Sequence, residues 1–257
     1  MTILYEAYDA AKLLLDCGAD MKAVSPTEGH VQRSALGRAV ALGKGRMVRL
    51  LLDKSPDISE EYVGSTVLNV ALRNSRHDMV RLLFQHYPSL FNKPSVINGL
   101  DMERMSPISV AATFSLQCVH ELRTLHASID LRCGDENEAQ PALGVAIERG
   151  RYDIAAYLLQ NGANPYCRGL PKRKFWTILN EVILADRESD GRPKSADSDF
   201  PNFFHMAKPW VHKHKLLNVS DFAGRSILHF AICNGHVVAA KTLVAASVYY
   251  TVFAGNI

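Results

Sequence analysis

One short phrase recurs along this chain and constrains its fold more than any other feature. It opens on Ser, Thr or Pro, places an Ala five residues on, often a Gly four residues after that, and then a Leu-rich run. The clearest copy is Asp221 to His236 (DFAGRSILHFAICNGH). Others begin at Ser34, Thr66, Ser106 and Pro141, so successive starts at 34, 66, 106, 141 and 226 lie 32, 40, 35 and 85 residues apart. Each copy encodes two short helices. The leading hydroxyl caps the first helix by accepting an orphan backbone N–H. Small residues at Ala39, Ala71, Ala111, Ala146 and Ala231 let the two helices approach closely. Gly43, Gly150 and Gly235 suit a left-handed turn between them. The Leu-rich run then supplies the second helix with a buried stripe. One such unit cannot bury its apolar face alone, so the copies must stack. The expected fold class is all-α: a solenoid of stacked helix-turn-helix repeats.

These residues resemble the ankyrin repeat family, whose pattern runs D-x-x-G-x-T-P-L-H-x-A-A-x-x-G and then V-V-x-L-L-L-x-x-G-A-D. The opening residues Thr2 to Ala7 and Leu13 to Asp20 resemble the start and finish of one repeat with part of its middle missing. Departures are frequent. The pattern's His stands only as His229, its place elsewhere being taken by Gly37, Asn69, Ser109 and Gly144. Ser75 and Ser115 replace its turn glycine. The resemblance implies degenerate repeats, about six or seven of them, forming a single domain over residues 1–257.

The period is lost between Pro165 and Asn218. Phe175 to Asn180 keeps a repeat-like start and Glu181 to Ala185 a first helix, but Asp186 to Asp199 is rich in Asp, Ser, Arg, Gly and Pro, which is loop chemistry. Phe203 to Ala207 and Trp210 to Leu217 then read as a delayed second helix. Region 165–218 is therefore expected to be an irregular penultimate repeat split by a loop insertion. Past it, Thr242 to Phe253 is strongly apolar, whereas solenoids normally finish on a polar cap. That stretch either folds back on the stack or meets a partner or another copy of the chain.

Composition narrows the function classes. Hydrophobic residues make up 47% of the 257 and charged residues 21%, which excludes a wholly disordered chain. A net charge of +3 is too mild to call for nucleic acid. No stretch reaches the roughly 18–20 apolar residues of a membrane span. The N-terminus lacks a secretory signal, and five scattered cysteines without a CxxC argue against a disulfide framework. The expected compartment is the cytoplasm, with the nucleus as the alternative. The basic runs Pro171 to Lys174 and Lys208 to Lys215 read as solvated surface, and Gly37 to Gly45 reads as a helix and its turn rather than a phosphate loop.

Two functions compete. The resemblance implies a binding module that recognises a protein partner through a concave face of hairpin tips and first-helix surfaces. Carried over position by position, that face comprises Tyr62, Ser65, Arg73, Asn74, Met105, Phe114, Glu148, Arg149, Phe222, Arg225 and Asn234. Aromatic residues and Arg are the types enriched at interface anchors. The alternative is a degenerate scaffold acting as a small-molecule enzyme, an acid/base-assisted cyclase or isomerase with a pocket near the insertion. Its candidate groups are His205, His212, His214, Asp199 and Glu181. No GxSxG, HExxH, dinucleotide or kinase motif is present, which favours the binding reading. Neither reading calls for a cofactor or a metal: His212 and His214 would point about 160° apart on a helix, and no third ligand has zinc-like spacing.

Overall fold

The computed structural model describes residues 8–20, 34–54, 67–91, 93–101, 103–134, 139–165, 178–186, 199–213, 215–220 and 224–254. The side chains of Leu90, Phe91, Glu181 and residues 247–254 fall outside that description. So do Tyr62, Ser65, Phe222, His214 and the capping Thr66. Among the described residues there is no strand; the elements are helices, and an isolated antiparallel bridge joins Ser220 and Ser226. They fall into two compact units, Met1–Gly134 and Asp135–Ile257.

In the first unit, α1 (Tyr8–Asp16) is followed by the pair α2 (Ala35–Ala41) and α3 (Gly45–Lys54), then by α4 (Val67–Arg73) and α5 (His77–His86). Two short turns, α6 (Pro88–Phe91) and α7 (Pro94–Ile97), lead to α8 (Pro107–Ala111) and α9 (Leu116–Thr124). Helix α1 packs on α3, and the first helices α2, α4 and α8 stack in sequence. The 40-residue spacing now has a cause, since α6 and α7 are extra turns inserted after α5.

The second unit pairs α10 (Ala142–Glu148) with α11 (Tyr152–Gln160), then α12 (Ile178–Ala185) with α13 (Phe200–Lys213). After a 3-10 turn at Leu216–Asn218 come α14 (Ile227–Cys233) and α15 (Val237–Ala254). First helices stack as α10–α12–α14 and second helices as α11–α13–α15. The irregular region thus supplies a first and a second helix at the proper places in the stack, and residues 187–198 of its expected loop lie outside the described residues.

Local chemistry follows the phrase. Ser34 Oγ accepts the Gly37 N–H at 3.0 Å, Ser106 Oγ the Ser109 N–H at 3.3 Å and Ser226 Oγ the His229 N–H at 3.4 Å. All five phrase alanines are fully buried. Gly43, Gly150 and Gly235 have φ of +70°, +66° and +75°, and Ser75 is forced to +51° in the same place. At each, paired backbone bonds close the turn, as when Ser75 N–H reaches Leu72 O and Arg76 N–H reaches Ala71 O. Arg76 then lies over Gly43, where an added Cβ would sit 3.1 Å from its guanidinium, and donates to Ala41 O.

Ser115 departs from its expected role. Its φ is −142°, and its Oγ accepts the Cys118 N–H at 3.2 Å. Helix α9 starts one residue sooner after its alanine than the other second helices do, so the shortened turn needs no left-handed residue. Ser115 has become a cap instead. At Ser109 the missing pattern histidine is replaced in kind. Where His229 Nδ1 pairs with Ser226 Oγ at 2.7 Å, Ser109 Oγ pairs with Ser106 Oγ at 3.0 Å and also donates to Cys133 Sγ at 3.4 Å. At Gly144 the side chain of Gln140 lies over the vacant Cβ position.

Candidate functional site

The loop between the second and third helix pairs of the first unit is built around Asp101, whose side chain is only 2% exposed. One carboxylate oxygen accepts the backbone N–H groups of Glu103 at 3.0 Å and Met105 at 2.9 Å. The other receives Arg73, whose guanidinium also pairs with Glu103 at 2.9 Å. Asp101 N–H donates to Met105 O at 3.0 Å, and Arg104 adopts φ +56° at the tip. Further back, Asn69 Nδ2 donates to Gly99 O at 3.2 Å. Two side chains of one helix, α4, thereby hold this loop at Gly99, Asp101 and Glu103. Burial alone would lower the Arg73 pKa, but Asp101 and Glu103 outweigh it and hold the guanidinium above its ordinary value. Arg73 also ends α4, where a cation complements the helix dipole.

Other residues foreseen for the binding face are placed as follows. Asn74 Nδ2 donates to Val70 O at 2.7 Å and Asn234 Nδ2 to Phe230 O at 2.8 Å, so each seals the end of its own first helix. Met105 is half-buried behind the Asp101 turn. The Phe114 ring is half-buried against His77, with centroids 5.2 Å apart. Glu148 and Arg149 are exposed at the end of α10, where Glu148 accepts from Gln140 Nε2 at 2.5 Å. The Arg225 guanidinium lies 5.9 Å from the Phe230 ring centroid. Sequence reading missed Asp101 and Glu103 because they sit 28 and 30 residues from the arginine they serve.

The groups foreseen for acid/base chemistry are spread along one helix. Asp199 precedes α13 and its carbonyl accepts the Phe203 N–H at 3.0 Å. His205 is exposed on that helix, and His212 is half-buried near its far end, roughly 20 Å from Asp199 at 1.5 Å per residue. Burial, helped by the nearby Lys208 charge, holds the His212 imidazole below its ordinary pKa. Glu181 belongs to α12. What does gather around Asp199 is a different group. The buried Asp186 carboxylate accepts the Asp199 N–H at 3.3 Å, and Tyr152 stands beside both. Burial and then the two carboxylates push the Tyr152 phenol up to about 12, while its ring packs on Phe203 at 5.7 Å. One sequence signal could have exposed Asp186. A carboxylate just past a helix C-terminus opposes the dipole and requires a local donor.

Among the described residues no three His, Cys, Asp or Glu side chains cluster as metal ligands would, and no helix is long and apolar enough to cross a membrane. A cleft of about 350 Å³ opens in the first unit beside His77, Asp78, Arg81, Gln117, Cys118 and Glu121. Burial pushes the Cys118 thiol above its ordinary pKa, which leaves it a poor nucleophile.

Residues 1–94 match the family model described as ankyrin repeats (3 copies). The crystal structure of the human ASB11 ankyrin repeat domain is similar to this chain, with a TM-score of 0.65, 18% identity and coverage of 95% of each. The chain has the ankyrin-repeat fold. An ankyrin repeat domain from Acinetobacter baumannii AYE is similar too, with a TM-score of 0.61, 21% identity and coverage of 82% of this chain and 97% of that one. In sequence, 219 residues are 25% identical to the Drosophila melanogaster transient receptor potential cation channel subfamily A member 1. That likeness takes in 85% of this chain but only 17% of the channel's length. Ankyrin repeats serve in general as protein-interaction modules.

Proposed function

We propose that this chain binds a protein partner through the loop-and-first-helix side of its repeats. The observation that carries this reading is the anchored 99–105 loop. An exposed loop held by a buried carboxylate, an arginine and a buried asparagine loses little conformational freedom on binding, which is how preorganised surfaces gain affinity. It presents the exposed Glu103, Arg104 and Leu100 together. In the second unit Glu148 and Arg149 are exposed at the end of α10, the register position that Arg73 and Asn74 hold at the end of α4. Mixed charges beside an apolar residue suit a polar protein surface with an apolar anchor.

The test is quantitative affinity capture with the whole chain. Glu103→Ala with Arg104→Ala should weaken recovery of the wild-type partner by at least about tenfold, as loss of an interface anchor does. Gln117→Ala with Glu121→Ala, on the second-helix side, should leave recovery unchanged. The reading fails if the second pair abolishes capture while the first does not.

A further inference from the structure

Successive repeats of the first unit leave a cleft between their second helices, and the side chains that line it follow one register. His77, Asp78 and Arg81 of α5 stand six, seven and ten residues after Ala71, as Gln117, Cys118 and Glu121 of α9 do after Ala111. These side chains line the cleft of about 350 Å³. Past Arg81 and Glu121 it continues into a second hollow of about 240 Å³ beside the half-buried Phe84 and Leu125. In the second unit the same places on α11 hold Tyr152, which packs on Phe203 of α13, and the buried Ala156. Helices α11 and α13 come close together. Helices α5 and α9, each with a long charged side chain at the place of that alanine, approach one another less closely.

The end and floor of the cleft are set by neighbouring groups. The His77 ring lies against Phe114, and the Gln117 amide donates to Glu121 Oε1 at 2.9 Å. Cys118, 1% exposed, is an uncharged floor because burial raises its thiol pKa. Three charges line the space: Asp78, Arg81 and Glu121. Asp78 and Arg81 stand three residues apart on α5, about 4.5 Å along its axis. Even so, among the described residues none of the three charges takes part in an ion pair. Counting histidine neutral, two carboxylates against one guanidinium leave the lining negative. A complementary ligand carries the reverse set, two cationic groups and one anionic.

We infer that this cleft binds a basic α-amino acid. Its carboxylate meets Arg81, whose planar guanidinium suits bidentate pairing. Its α-ammonium meets Glu121 Oε2 across the neck where the two hollows join, and its side-chain cation reaches back one turn to Asp78. The cleft volume lies in the small-molecule range. An apolar side chain would run toward Phe84 and Leu125 and leave Asp78 unused, while an acidic one would set a second anion against two carboxylates. The cleft shares no residue with the 99–105 loop, so this inference does not depend on the protein-binding reading.

Isothermal titration of the whole chain with L-lysine is the test, with circular dichroism confirming that each variant folds. A salt concentration of about 0.15 M screens loose counterion attraction. One lysine should bind per chain with a dissociation constant of about 1 mM or tighter. L-leucine and L-glutamate should bind at least about tenfold more weakly. Asp78→Asn should weaken lysine binding at least about tenfold and leave leucine unchanged, while Glu121→Gln and Arg81→Gln should weaken both. The diamine cadaverine, which is lysine without its carboxylate, should bind Arg81→Gln no more weakly than wild type. Absence of saturable binding by about 10 mM lysine would overturn the proposal, that concentration being well above a useful dissociation constant. So would leucine or glutamate binding as tightly as lysine, or a lysine affinity left unchanged by any one of the three substitutions.

Discussion

Replacing Asp101 isolates what holds the candidate binding loop. Asp101→Ala removes the acceptor for two backbone N–H groups and the partner of Arg73. The two N–H bonds contribute about 1 kcal/mol each. The pair with Arg73 would be worth more if dry, but that side chain is 32% exposed, so about 1 kcal/mol is the appropriate figure after solvent screening. The expected loss is about 3 kcal/mol. Asp101→Asn keeps an oxygen for Glu103 and Met105 N–H and forfeits only the charge, for about 1 kcal/mol. Glu103→Gln, 72% exposed, should change stability by less than about 0.5 kcal/mol. Urea denaturation measures the three, and hydrogen exchange at the Glu103 and Met105 amides reports the loop directly. Equal losses from Asp101→Asn and Asp101→Ala would show that charge, not backbone anchoring, dominates. A loss below about 0.5 kcal/mol for Asp101→Ala would refute the anchored loop altogether.

Other outcomes follow from the same structure. Ser75→Gly should stabilise by about 0.5–1 kcal/mol through relief of the left-handed strain, while Gly43→Ala should destabilise by about 1–2 kcal/mol because φ is +70° and Arg76 lies against the new methyl; thermal melts decide both signs. Ile147→Ala should lose about 2–4 kcal/mol and Ile232→Ala less than about 0.5 kcal/mol, although they share a register position. Tyr152 carries a folded pKa of about 12 against 10.0 unperturbed, so its contribution is complete below about pH 10 and is lost as pH rises toward 12. Tyr152→Phe should therefore flatten the alkaline decline in stability over that window, measured by urea titrations at stepped pH. Tyr87, also raised to about 12 by burial and Asp53, should add a separate alkaline loss in the first unit that Tyr152→Phe leaves untouched.

The repeat register, the helix pairs and most of their caps were legible in the residues alone, because each depends on groups within a few positions of one another. A Ser three residues before an N–H, a Gly four after an Ala and a Leu stripe at helical spacing act locally, and Ser34, Gly150 and the five buried alanines stand where that logic puts them. Ser115 shows its limit: the pattern marks a position as a turn, but a one-residue change in where the next helix begins converts the same side chain into a cap. The candidate site was less legible. Arg73 was visible, but its partners were not, because Asp101 reaches it only once α4 and α8 stack and bring positions 28 residues apart into contact. Asp186, Asp199 and Tyr152 likewise meet only when α11 and α13 pack side by side. The apolar character of the stretch after Thr242 was plain in the sequence, yet which of its residues are bare was not. Sequence by itself determined which segments become helices and which face of each is apolar, since both are set by neighbours along the chain. Only the tertiary structure decided which of those faces are covered and which charges meet, because burial and Coulomb energy depend on distances through space.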